Sequence, residues 1–205
     1  MAMAPFGESD SEATIGRLAT GLAGTQFIAA AADVIEEFRA EVVAARLPNP
    51  SGQSEDSVIP SLEHLADALA DLHDRYQQGL PGASLGETMH GVFEAVHIMW
   101  KVMAYLAASR SHAGQLGGDP SDGITGHPAW TRYVGPLWGE FVDVLAEIPA
   151  ADGRITPVVR DAHTSGMARV LRSWKQHVGF DLRETPAGPY FEIRQHSFSL
   201  PEPAP

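Results

Sequence analysis

Glu87-Thr-Met-His90-Gly-Val-Phe-Glu94-Ala-Val-His97-Ile-Met-Trp100-Lys101 repeats its apolar residues with the period of an α-helix. At about 100° per residue, Met89, Val92, Phe93, Val96, Met99, Trp100 and Met103 spread over a broad apolar arc, which belongs inside a helical core. His90, Glu94 and His97 fall within roughly 60° of one another on the same cylinder. Two readings of that polar stripe stand side by side. It is either a narrow solvated edge, held by i,i+3 and i,i+4 pairs worth a few tenths of a kcal/mol each, or two imidazoles and a carboxylate gathered into a site.

The rest of the chain extends the helical pattern in both directions. Upstream, Asp10 or Ser11 can cap a first helix with Phe27, Ala31, Ile35, Phe38 and Val42 inward, ending near Arg46, its first half weakened by Gly16, Gly21 and Gly24. Residues 48–58 form a polar connector. Pro60 and Ser61 open a second helix with Leu62, Leu65, Leu69, Leu72 and Tyr76 in register and Asp67, Asp71 and Asp74 outward. Ser84-x-x-Glu87 has the form of a capping box for the third helix, which removes Glu87 from the site residues and carries the helix to about Ser109.

Downstream, residues 111–126 read as a flexible Gly-rich loop, a lid or a disordered segment. His127 to Phe141 starts a fourth helical region that is broken or restarted at Gly135-Pro136, because proline has no N–H to donate. Thr156-Pro157 caps a fifth helix that Gly179 ends. Phe180 to Phe198 reads as a hairpin turning at Pro186-Ala-Gly188, and residues 199–205 as a disordered tail. The expected fold class is all-α: one helical domain over residues 1–198, a bundle of about five helices with a small C-terminal β-hairpin.

A chain of 205 residues with 44% hydrophobic residues can form one domain with a real core. Its formal charge of −12 and lack of basic runs argue against nucleic acid and anionic membranes as partners. The absence of cysteine rules out disulfides and thiolate chemistry. With no apolar run near the roughly 18 residues of a membrane span and no basic signal region at the start, the expected location is the cytoplasm. A small-molecule substrate is the expected partner, with homo-oligomerisation open.

In the fifth helix, Val159, Met167, Val170, Trp174 and Val178 define the expected inner face, with His163 near its middle and Arg169, Arg172 and Lys175 opposite. Gly166, one turn on, opens space beside the imidazole. His163 is therefore either a core histidine bonded to a carbonyl or a ligand for a cofactor or metal. His97 is the other candidate metal ligand. His64, His73, His112, His127, His177 and His196 are scattered and expected mostly at the surface. Trp130, Tyr133 and Trp138, with Phe93 and Trp100, are either core or the walls of a substrate pocket for a planar molecule. Glu-x-x-His occurs once after Glu87 is set aside, so a di-iron bundle site lacks its second copy, although Glu36, Glu37, Glu41, Glu140 and Asp143 supply acids.

Arg160-Asp-Ala-His163-Thr-Ser-Gly-Met-Ala-Arg169 resembles the helix of tryptophan 2,3-dioxygenase-like and indoleamine dioxygenase-like haem proteins that bears the iron-ligating histidine, and His90-Gly-Val-Phe-Glu94 is similar to their His-x-x-aromatic-Glu stretch. The resemblance implies a haem held by His163, with His90 across it as a hydrogen-bonding or acid/base group for an aromatic substrate. The leading expectation is accordingly an iron-dependent oxidative enzyme, with haem as cofactor, His163 and Gly166 on the cofactor side and His90 or Glu94 handling protons. Two alternatives remain: a non-catalytic helical module that binds a small molecule or a protein, and a non-haem iron enzyme built on Glu94 and His97.

Overall fold

The computed structural model describes residues 21–47, 55–79, 85–186, 188–194 and 200. The expected cap at Asp10 or Ser11, Gly16, most of the 48–58 connector, Ser84 of the capping box, His196 and nearly all of the 199–205 tail lie outside the described residues. The described α-helices are α1 (Gly21–Ala44), α2 (Val58–Gln78), α3 (Leu85–His112), the short α4 (Asp122–Thr125), α5 (Gly135–Ala146) and α6 (Pro157–His177). Strands β1 (Phe180–Thr185) and β2 (Gly188–Ile193) run antiparallel, with Phe180 opposite Ile193 and Thr185 opposite Gly188.

The apolar periodicities decide the packing. Helix α3 buries Val92, Val96, Met99, Trp100, Met103 and Leu106, and lies between α1 and α2. Helix α1 presents Phe27, Ala30, Ala31, Val34, Ile35 and Phe38, and α2 presents Leu62, Leu65 and Leu69, all at i,i+3 or i,i+4 spacing. Each such leucine removed from water contributes on the order of 2 kcal/mol. The other side of α1 packs on α6, and α6 in turn packs on α5. Gly91 sets the approach of α2 to α3: a Cβ there would come within 2.7 Å of a Leu72 methyl. Helix α2 stops at Gly79, whose φ of 61° lets its N–H close onto the carbonyls of Arg75 and Tyr76.

The expectation of about five helices with a small appended hairpin is corrected in two respects. Six α-helices are present among the described residues, and the strands are not an appendage. Phe180 is fully buried, Asp181 is 1% exposed, and β1 packs against both α6 and α1. Asp181 accepts hydrogen bonds from Gln176 and Arg194, so the ribbon is tied to the end of α6 and to itself. The segment expected as a flexible Gly-rich loop contains α4, buries Ile124, and has the Gly118 carbonyl accepting from Trp138 Nε1 at 3.4 Å.

Proline sets the course of the next region. The helix restarts at Gly135-Pro136, as one of the two expectations had it: the chain passes through a π-helical turn, Trp130–Val134, with the Gly135 N–H bonded to the Trp130 carbonyl, and α5 begins at Gly135. Pro136 cannot donate to the Arg132 carbonyl four residues earlier. That carbonyl takes the His177 Nε2 proton at 2.8 Å, and the neighbouring Tyr133 carbonyl accepts from Trp174 Nε1. Two side chains from the end of α6 thereby satisfy the backbone oxygens at the π-helical turn. Helix α6 itself begins as expected, with Thr156 accepting from the Val159 N–H and Pro157 in the first turn.

Candidate functional site

The expected site residues separate onto different surfaces. Glu94 and His90 pair with each other at 3.3 Å, both about 70% exposed, with side-chain values of 68% and 71%. The solvated reading of this part of the stripe fits that geometry. His97, one turn further, is turned to α1, with Nε2 3.7 Å from Asp33. It belongs to a polar seam in which Glu37 accepts from both Lys101 Nζ at 3.1 Å and Tyr105 Oη at 2.8 Å. The tyrosine bond, followed by the lysine, holds the Glu37 carboxyl below its ordinary range against the opposing effect of burial. Burial and the Lys101 charge lower the His97 pKa despite the opposing pull of Asp33 and Glu37, so the neutral ring is favoured. Glu37 is already committed to two donors, and no group of three His, Asp or Glu among the described residues is placed to hold a metal ion.

The aromatic residues form packing layers. Trp130 and Trp138 meet edge to face at 5.4 Å, and Trp138 stacks on Phe141 at 6.2 Å. Phe93 meets Trp100 edge to face at 5.7 Å, and Trp100 lies 5.4 Å from Trp174. Trp100 and Tyr133 are fully buried, and Trp130 and Trp138 nearly so. Burial raises the Tyr133 phenol pKa, so it stays a neutral hydroxyl. Trp130 does reach the edge of a recess of about 320 Å³ shared with Asp119, Thr125, Thr131, Gly135 and Pro136.

His163 and Gly166 are together, in a groove between α5 and α6. Two adjoining recesses of about 260 and 300 Å³ share Asp143, Val144, Gly166 and Arg169. The first adds Glu147, Ala162 and His163, and the second Glu140, Val170 and Ser173. Glu140, Asp143 and Glu147 lie at i,i+3,i+7, so they form one carboxylate wall along α5. Gly166 forms the floor: an added Cβ would touch Val144 at 3.7 Å. The recess beside His163 contains no residue of α3, so His90 is not across it.

The chain matches no protein-family model, no curated protein and no solved structure.

The expected inner face of α6 is buried at Met167, Val170, Trp174 and Val178, with Arg169 and Arg172 outward, but the buried face is wider than the sequence reading and His163 lies at its edge. It also takes in Thr164, Ala168, Leu171 and Lys175, while Val159 is 42% exposed. The helix meets α1 and β1 with that face, which leaves His163 half-buried on the α5 side. Lys175, expected to point outward, is 1% exposed, and His73, expected at the surface, is 6% exposed. The Lys175 ammonium lies 4.9 Å above the Phe93 ring and 5.5 Å above Phe27. Burial pushes its pKa down to about 8, with Asp181 acting in the opposite direction. Arg169 and Glu147, which sequence reasoning left out of the site, were detectable in principle: both fall one helical turn from residues already singled out.

A porphyrin does not fit these surroundings. The imidazole of His163 opens onto a shallow groove rimmed by carboxylates, and the aromatic side chains expected to wall a haem pocket are packed in the core.

Proposed function

We propose that this chain is a non-catalytic helical binding module whose α5/α6 groove takes a small ligand carrying a positive charge. The observation that supports it is the groove itself: a carboxylate wall of Glu140, Asp143 and Glu147 beside an apolar floor of Val144, Ala162 and Gly166. Such a wall complements an ammonium or guanidinium, while the floor accepts a short apolar body. His163 and Arg169 on the facing helix suit a ligand that also bears an acceptor. Groups competent for catalysis need to converge on one reacting atom, and His90, Glu94 and His97 are placed away from the groove.

The test uses ¹⁵N-labelled protein titrated with L-arginine and with spermidine. Saturable shifts confined to amides around Val144, Ala162 and Gly166, weakened at least tenfold in Asp143→Asn/Glu147→Gln, are expected. No saturable shift there with either probe would sink the groove assignment. Parallel titration with haemin and with ferrous iron tests the oxidative readings: a Soret band lost in His163→Ala would favour haem, and iron bound without that band and lost in Glu94→Ala/His97→Ala would favour a non-haem site.

A further inference from the structure

The tryptophans dispose of their indole N–H groups differently. Trp138 donates to the Gly118 carbonyl and Trp174 to the Tyr133 carbonyl, whereas the Trp100 N–H is buried with no hydrogen-bond partner. Trp130 is also inside, 4% exposed, yet no described residue accepts from its Nε1, and the ring borders the recess of about 320 Å³ beside the π-helical turn. Its face is taken by Trp138 at 5.4 Å, which leaves the N–H edge for any ligand.

The π-helical register keeps that edge open. Its i→i+5 bond, from the Gly135 N–H to the Trp130 carbonyl, stacks Gly135 over Trp130, where an α-helical register would stack Val134. A Cβ on Gly135, which also lines the recess, would lie 3.1 Å from the indole Nε1 and 3.3 Å from Cδ1. Gly135 has an ordinary helical φ of −49°, so a side chain there would take away space and not backbone freedom.

The other polar walls are acceptors. Thr125 Oγ1 gives its proton to the Ser121 carbonyl and Thr131 Oγ1 to the Thr125 carbonyl, each at 3.3 Å, so both oxygens keep lone pairs for a ligand. Asp119 adds an exposed carboxylate and Pro136 an apolar side. One donor among several acceptors selects ligand groups that do both. A hydroxyl accepts from the indole N–H and passes its own proton to a threonine or carboxylate oxygen, whereas an ammonium has no lone pair for the indole. A volume of about 320 Å³ is small for a ligand site, which limits the occupant to one ring.

We propose that this recess binds a single neutral polyhydroxylated ring of the monosaccharide class, with Trp130 Nε1 donating to one hydroxyl and Asp119, Thr125 and Thr131 accepting from its neighbours. The site shares no lining residue with the α5/α6 groove and stands independently of it.

The indole N–H signals of the ¹⁵N-labelled full chain read the site directly. Titration with methyl β-D-glucopyranoside or myo-inositol at millimolar concentrations is expected to shift the Trp130 signal saturably, together with the Thr131 and Gly135 amides, and to leave Trp100 and Trp174 in place. Gly135→Ala should abolish the shift, and Asp119→Asn, at an exposed position that does not endanger the fold, should weaken binding about fivefold. Unchanged amide signals from α1 to α3 establish that each variant is folded. The proposal is overturned if neither probe moves the Trp130 signal saturably, if ethylammonium chloride moves it equally well, or if either folded variant binds undiminished.

Discussion

Trp100 and Trp174 are neighbours with opposite fates for the indole N–H, and this difference sets a quantitative expectation. Their rings are 5.4 Å apart and their exposures are 0% and 1%. Trp174 Nε1 donates to the Tyr133 carbonyl, whereas Trp100 Nε1 is buried without a hydrogen-bond partner. Replacing either by phenylalanine removes a similar volume and leaves a similar small cavity, costing about 1–2 kcal/mol through lost transfer and packing. In Trp174→Phe a second cost follows, because the Tyr133 carbonyl loses its donor, worth about 1–3 kcal/mol for a buried group. In Trp100→Phe the opposite holds: the unsatisfied donor disappears and about 1–3 kcal/mol of desolvation penalty is recovered.

Trp174→Phe is therefore expected to destabilise the protein by about 3 kcal/mol, and Trp100→Phe by less than about 1 kcal/mol. Urea unfolding followed by far-ultraviolet circular dichroism is the suitable assay, since tryptophan fluorescence changes with the substitution itself. The slopes must agree among the three proteins for the midpoints to be compared as stabilities. Equal losses, or a larger loss for Trp100→Phe, would refute the assignment of the two indole protons and with it the account of the π-helical turn.

Two further expectations rest on polar groups between helices. Arg39→Met should cost about 2–4 kcal/mol in urea unfolding, because the 7% exposed guanidinium bonds Pro149 and Gly153 carbonyls at 3.0 and 3.1 Å and no apolar side chain replaces those donors; a loss under about 0.5 kcal/mol would place this contact among ordinary surface pairs. Tyr105, pushed up to about 12 by burial and by its bond to Glu37, should ionise well above the ordinary phenol range in a 295 nm titration read as the difference from Tyr105→Phe. Its raised pKa means that the stability it contributes is complete below about pH 10 and is lost as pH rises toward about 12. A Tyr105→Phe difference spectrum that titrates near 10 would contradict that environment.

The helical fold was legible where periodicity was unambiguous. Leu62, Leu65 and Leu69 in α2, and Phe27, Ala31, Ile35 and Phe38 in α1, occupy the faces expected from spacing alone, because each helix has one apolar stripe and a clearly charged reverse. Helix α6 has no such clean division. Met167, Val170, Trp174 and Val178 are buried as spacing suggests, but Thr164, Ala168 and Lys175 are weak indicators of burial and Val159 is a strong one, so the real stripe is wider than the apparent one and leaves Val159 outside. A long lysine stem is apolar for most of its length and its head normally escapes to water, so composition does not reveal a lysine that stays inside. The Pro136 irregularity was visible, but its resolution was not: the donors come from Trp174 and His177, more than 30 residues away.

The oxidative reading rested on the resemblance of Arg160–Arg169 and His90–Glu94 to segments of haem dioxygenases, which implies His163 and His90 on either side of a planar cofactor. In the fold, Lys175 and Leu171 face inward and His163 sits at the α5 groove, beside Asp143 and Glu147. The carboxylates change the chemistry available there, since they favour a cation and raise the cost of placing an apolar macrocycle against them. The buried position near the expected pocket is occupied instead by Lys175 between Phe27 and Phe93. Burial and charge, which a helical wheel assigns together, are separated in this bundle: His90 and His163 lie at or near the surface, whereas His73 and Lys175 are in the core.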